Sequence, residues 1–242
     1  MNERILREEI VHIGLEMYQR DFISGAAGNI SARLSNNLLL ITPSGINKGK
    51  LTPDQLLIID LEGHCIGGDA TCRPSSELPM HLEVYRQRAD VGAVIHAHPI
   101  TCVALSLVGI SLQDPYIPEA LVMLGPVPTT PYATPSSTEN RDAIAGLIAH
   151  HDAIILAHHG SLTVGRDLEE AYSRLEILEH TAKTVALACQ MGTPRKLDQE
   201  AVQKLLDLRQ KMGLSHGEET LTTLRIAAEV ERLTLDLDAL RW

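Results

Sequence analysis

Aromatic side chains are scarce: one Trp, one Phe and five Tyr make up 3% of the 242 residues. The core must therefore be built from Leu, Ile, Val and Ala, which suits layered α/β packing better than an aromatic-rich sandwich. The same shortage leaves little to stack on nucleobases. Positive charge is also short, with 21 Lys and Arg against 31 Asp and Glu and a formal charge of −10. Nucleic acid and anionic membranes both demand a basic face, so neither is an expected partner. A small anion is still allowed, because backbone N–H groups and hydroxyls can hold one phosphate without net positive charge. The cysteines Cys65, Cys72, Cys102 and Cys189 form no C-x-x-C pair and read as reduced thiols. The first residues, MNERILREEI, carry charge where a signal peptide needs an apolar stretch. No run approaches the roughly 18 apolar residues of a membrane span. The expected location is the cytoplasm.

What is present alternates between helical and extended patterns. Ile5, Ile10, Ile13 and Met17 predict an opening helix over 3–20. Residues 30–34 and 38–42, joined by Asn36-Asn37, read as a hairpin, and 56–60 as a third strand. A helix follows Ser75 or Ser76 as cap, with Leu78-Pro79 in its first turn. GAVIHAHP reads as a strand, 102–109 as helical, 120–124 as a short strand and 137–150 as a helix. AIILAHHG (153–160) is another strand. Helices are expected over 167–190, 198–212 and 217–241. Hairpin turns among neighbouring strands suggest a mixed sheet with helices on its faces.

Histidines end two of these strands. Residues i and i+2 of a strand share a face, so His96 and His98 aim into one space. A second apolar strand ends in His158-His159-Gly160. Two such strands at one sheet edge can bring three imidazoles together with an open fourth position, a catalytic divalent-metal arrangement with zinc first by ligand type. Glu77, at a helix start, supplies a carboxylate, and His81 one turn later could touch it or simply pack. The small-polar loops Gly28-Asn29, Ser44-Gly45 and Ser75-Ser76 could together cradle a phosphate.

Gly28-Asn29-Ile30-Ser31, ITPSG (41–45), PSSE (74–77), HAHP (96–99) and HHG (158–160) occur in the order seen in the class II aldolase/adducin family. The chain resembles the L-fuculose-1-phosphate aldolase branch over about 3–213. The resemblance implies one α/β domain over 1–213, three-layer α/β/α around a mainly antiparallel mixed sheet; 214–242, read as a helical extension, falls outside it. It also implies a homotetramer with active sites between subunits. Zinc, one per subunit or replaced by another divalent metal, would sit on His96, His98 and His159. Glu77 would fill its fourth position until substrate arrives, then act as acid and base with a pKa tuned toward neutrality. Substrate phosphate would lie on Gly28, Asn29, Ser44, Gly45, Ser75 and Ser76. A ketose 1-phosphate would then split to dihydroxyacetone phosphate and an aldehyde through a metal-stabilised enediolate.

The sequence departs from that branch at its proton-donating tyrosine, whose position falls on Ile117. Tyr116 and Glu119 are the nearby substitutes. A C-terminal tyrosine of the branch is Met212 here. The resemblance therefore also admits a methylthioribulose-phosphate dehydratase, a pentulose-phosphate epimerase or an oxo-tetronate-phosphate decarboxylase. A non-catalytic adducin-like module would have lost the ligands, and His96, His98, His159 and Glu77 are all present.

Overall fold

The computed structural model describes residues 2–214, so the helix expected over 217–241 lies outside the described residues. The helices are α1 (Glu3–Gln19), α2 (Leu78–Gln87), α3 (Ile100–Leu107), α4 (Pro118–Met123), α5 (Thr138–Ala145), α6 (Leu168–Met191) and α7 (Gln199–Lys211). The strands are β1 (Asn29–Ser35), β2 (Leu38–Ile41), β3 (Leu57–Asp60), β4 (Cys65–Gly67), β5 (Ala93–Ala97), β6 (Ala153–Leu156) and β7 (Gly160–Gly165). They form one seven-stranded sheet in the order β4-β3-β2-β1-β5-β7-β6. Every ladder is antiparallel, so the expected sheet is present without a parallel strand pair. Among the described residues no helix is long and apolar enough to cross a membrane.

Both sheet faces are covered, which makes three layers. Ile30, Ala32, Ile95 and Ala97 pack with Ile10, Met17, Leu168 and Leu175 from α1 and α6. Their strand neighbours Val94, Ile154, Leu162 and Val164 turn the other way, toward Met80, Val84 and Ile144 of α2 and α5. Period-2 alternation thus splits each central strand between two cores. A third cluster on the first side joins Cys102 and Leu105 of α3 to Ile155 and Leu178.

Three expectations change. The stretch 120–124 is not a strand: Pro118 opens helix α4, which buries Ala120, Leu121 and Val122. Proline fits the first helical turn, where its missing N–H breaks no bond, and this outweighs a short apolar run. β4 was not expected, because Cys65 and Ile66 are exposed and carry no alternation to read. Neither Ser75 nor Ser76 caps α2. Glu77 is its N-cap residue without a side-chain cap bond, while the Ser75 hydroxyl accepts the Glu77 N–H at 3.2 Å. By contrast, Asp167 and Asp198 cap α6 and α7 through their side chains.

A candidate metal centre

Antiparallel register assembles the site. Asn29 of β1 pairs with His96 of β5, and Ser31 pairs with Val94. Paired residues share a face, so Asn29, Ser31 and His96 all turn toward α2. Helix α2 answers with His81 and, at its N-cap, Glu77. Ala97 pairs with Ser161, so the end of β5 lies beside the start of β7. His98, just past β5, thereby meets His159, just before β7.

The turn between β6 and β7 selects which histidine enters. His158 takes a left-handed backbone (φ 60°), is exposed and lies edge-on to Tyr132. His159 turns inward. Gly160 permits the close approach: a Cβ there would sit 2.3 Å from the Ala97 carbonyl oxygen and about 3 Å from the rings of His96 and His98. Ring centroids of His96, His98 and His159 are 4.8–4.9 Å apart.

Hydrogen bonds set the ring states. His96 Nδ1 lies 2.9 Å from the Ser161 carbonyl, which can only accept, so Nδ1 carries a hydrogen and Nε2 faces inward. That Nε2 is 2.9 Å from His98 Nε2 and 3.1 Å from Glu77 Oε2. His159 Nε2 is 3.3 Å from Glu77 Oε1. Burial, reinforced by the neighbouring His96, lowers His98 to about 3 and His159 to about 4, so both are neutral at pH 7. One ligand atom from each of the three histidines falls within 4.8 Å of the others. Imidazole nitrogens and a carboxylate converge on one point, where a cation would satisfy them together. The donor set fits a divalent metal ion.

Glu77 is held from several sides. Asn29 Nδ2 donates to Oε2 at 2.8 Å, and Asn140 Nδ2, from α5, donates to Oε1 at 3.3 Å. Burial pushes its pKa up, but His96, Asn29 and His159 outweigh burial and hold it well below the usual carboxylate range. This is opposite to the tuning toward neutrality expected from the family resemblance. Behind Asn29 stands His81, fully buried and lowered to about 3 by that burial. It donates from Nε2 to Asn29 Oδ1, and its Nδ1 accepts from the Ser31 hydroxyl at 2.6 Å. Ser31 in turn lies 3.0 Å from the Tyr85 hydroxyl. His81 thus does not touch Glu77. It orients the amide that does. Neither Asn140 nor the Ser161 carbonyl was read from the sequence. Their roles arise from long-range register and carry no local signal.

The phosphate candidates divide. Ser44, Gly45 and Ser76 line one open cleft of about 540 Å³, together with Gln55, Asp69 and Arg73. The Ser44 N–H donates to the Arg73 carbonyl at 2.8 Å and ties its two loops together. Ser76 Oγ lies 2.8 Å from Ser136 Oγ. Asn29 and Ser75 are buried and engaged with Glu77 instead. Gly28 is a close-approach residue at φ 71°, where a Cβ would lie 2.5 Å from the Ile23 side chain. Tyr116 donates to Asp114 Oδ2 at 3.2 Å, and Glu119 is exposed in the first turn of α4. Among the described residues neither hydrogen-bonds to the histidine cluster.

Fold and site together define an α/β/α domain able to hold a metal ion at a strand end. The profile of the Class II Aldolase and Adducin N-terminal domain matches residues 8–206, and the chain belongs to that family. It is 36% identical over 188 residues to a 3-oxo-tetronate 4-phosphate decarboxylase of Pectobacterium atrosepticum, covering 76% of this chain and 85% of that protein. It is 36% identical over 175 residues to an L-fuculose phosphate aldolase of Methanococcus maripaludis, covering 72% and 93%. The crystal structure of YgbL from Escherichia coli superposes with a TM-score of 0.78 at 34% identity, over 84% of this chain and 98% of that one.

Proposed function

We propose that this chain is a zinc-dependent lyase that breaks the carbon–carbon bond one carbon removed from the carbonyl of a phosphorylated sugar or sugar acid, yielding dihydroxyacetone phosphate. The observation that carries this is the Glu77 carboxylate, 3.1–3.3 Å from two of three converging histidines. The names of the two relatives support it, because their chemistry shares one half-reaction. Cleaving a ketose 1-phosphate between C3 and C4 leaves the enediolate of dihydroxyacetone phosphate and an aldehyde. Removing the carboxylate of 3-oxo-tetronate 4-phosphate, which stands β to the oxo group, leaves the same enediolate and carbon dioxide.

In both cases the electrons of the broken bond move toward the carbonyl oxygen, and the carbon left behind takes up a proton. His96, His98 and His159 would hold the divalent ion, which would supply Lewis-acid polarisation of that carbonyl. Glu77 moves the proton at the adjacent carbon, held by Asn29 and Asn140. The Ser44, Gly45 and Ser76 cleft receives the phosphate. In the aldolase direction the departing aldehyde oxygen must also gain a proton, the role assigned to Tyr116 or Glu119. In decarboxylation no such donor is needed. A homotetramer belongs to the same reading and is supported by the exposed Ile100, Leu107 and Val108 on and just after α3, beside the histidine strand. So does the cytoplasm, which suits the free thiols.

The test is release of dihydroxyacetone phosphate from L-fuculose 1-phosphate and from 3-oxo-tetronate 4-phosphate by metal-loaded protein, with and without chelator. Chelator-sensitive release from either is expected, and carbon dioxide evolution identifies the second. No release from either, by protein holding stoichiometric metal, overturns the reading.

A further inference from the structure

Lys48 is only 2% exposed, a charged side chain sealed inside the fold. Its residue packs against α1, where a Cβ at Gly14 would lie 2.8 Å from the Lys48 carbonyl oxygen. Its Nζ donates to the carbonyls of Ala26 at 2.6 Å and Ile46 at 3.0 Å. Ala26 lies in the loop leading to Gly28 and Asn29. Ile46 follows Ser44 and Gly45 and lines the cleft with them. The one ammonium therefore joins two of the small-polar loops from behind.

Carbonyl hydrogen bonds alone do not call for a charge, since an uncharged donor would satisfy them. A buried ammonium without a counter-ion is costly. Burial lowers its pKa to about 8, with the Glu77 charge opposing, so it remains cationic at neutral pH. The same charge depresses His98, so its field reaches the histidine cluster. Glu77, the carboxylate that acts on it, is already committed to His96, His159, Asn29 and Asn140. Among the described residues no carboxylate forms an ion pair with Lys48.

We infer that Lys48 is an anion-positioning residue: it locks the 24–28 and 43–47 loops together and adds positive charge behind them that strengthens the hold on a substrate phosphate in the cleft. This rests on the reading of the cleft as a phosphate site. The experiment is calorimetric titration of metal-loaded protein with inorganic phosphate, for wild type, Lys48→Gln and Lys48→Met, with folding checked by circular dichroism and metal content measured. Both variants are expected to bind phosphate at least about tenfold more weakly with metal content unchanged. With whichever substrate proves active, KM should rise by a similar factor while kcat moves less than about threefold. Wild-type protein that binds no phosphate overturns the cleft reading and this inference with it. Wild type that binds, with a folded Lys48→Gln protein within about twofold of it, overturns the role of Lys48 alone. Failure of both variants to fold would make Lys48 purely structural and also overturn the assignment.

Discussion

Two buried clusters of charge are completed in different ways. At the start of β6, the Asp152 carboxylate is fully buried and meets the guanidinium groups of Arg174 at 2.9 Å, Arg88 at 3.1 Å and Arg209 at 3.6 Å. These arginines come from α6, the end of α2 and α7, so one carboxylate pins three helices. Around Glu77, one carboxylate meets imidazoles and amides. The first cluster is saturated with cations of its own. The second turns imidazole nitrogens and a carboxylate to one point that fits a cation from outside. Buried polarity is therefore not in itself a sign of function; the sign is whether the groups complement one another without a ligand.

The largest effect expected from breaking this contrast is on activity. His96→Ala should abolish metal retention and turnover, measured by metal analysis beside the product assay, whereas Asp152→Asn should leave metal content per folded molecule unchanged. Full metal content in His96→Ala would sink the ligand assignment. Glu77→Gln should keep the metal but lose about 10²–10⁴ in kcat, the usual worth of a general acid or base. Unaltered turnover would exclude its proton role.

On stability, the ranking reverses. Asp152→Ala leaves three buried guanidiniums short of their shared carboxylate and should cost about 3–5 kcal/mol in urea unfolding. A loss under about 1 kcal/mol would mean the arginines find water or other partners.

A smaller effect is set by pH. Burial holds His81 near 3 in the fold, against 6.5 in its ordinary state. Above pH 6.5 both folded and unfolded chains leave it neutral, and it contributes no pH dependence. As pH falls from 6.5 toward 3, only the unfolded chain takes the proton, so stability drops by up to about 1.4 kcal/mol per unit. Urea midpoints between pH 7 and 5.5 should show this slope, and His81→Gln should flatten it. His98 and His159, lowered in the same direction, add to it in metal-free protein.

The smallest change is expected at Tyr116, whose hydroxyl already serves Asp114. For decarboxylation, which needs no donor to an aldehyde oxygen, Tyr116→Phe should alter kcat by less than about threefold. A fall of hundreds-fold would show that the hydroxyl is called to the chemistry of a neighbouring subunit.

Much of the site was legible where a local rule governs it. His96 and His98 lie on one side because a strand repeats every two residues. The choice of His159 over His158 was carried by family resemblance; its physical cause, the left-handed turn at His158, has no residue signature because histidine rarely adopts that backbone. Asn29 was read as a phosphate ligand, yet its amide faces Glu77, since β1 register and His81 decide which way it points. Helix α4 was misread because a five-residue apolar run has no period to distinguish helix from strand.

By itself the sequence determined the layered α/β class, the long helices with their aspartate caps, and the pairing of His96 with His98, because each depends on periodicity or on neighbours within a few residues. Only the tertiary structure decided that Asn140 and the Ser161 carbonyl serve the cluster, that Lys48 is buried and bonds the Ala26 carbonyl, and that Asp152 gathers three arginines. Those contacts join residues 22 to 65 positions apart, and such partners are chosen by sheet register and helix packing rather than by any property of the chain nearby.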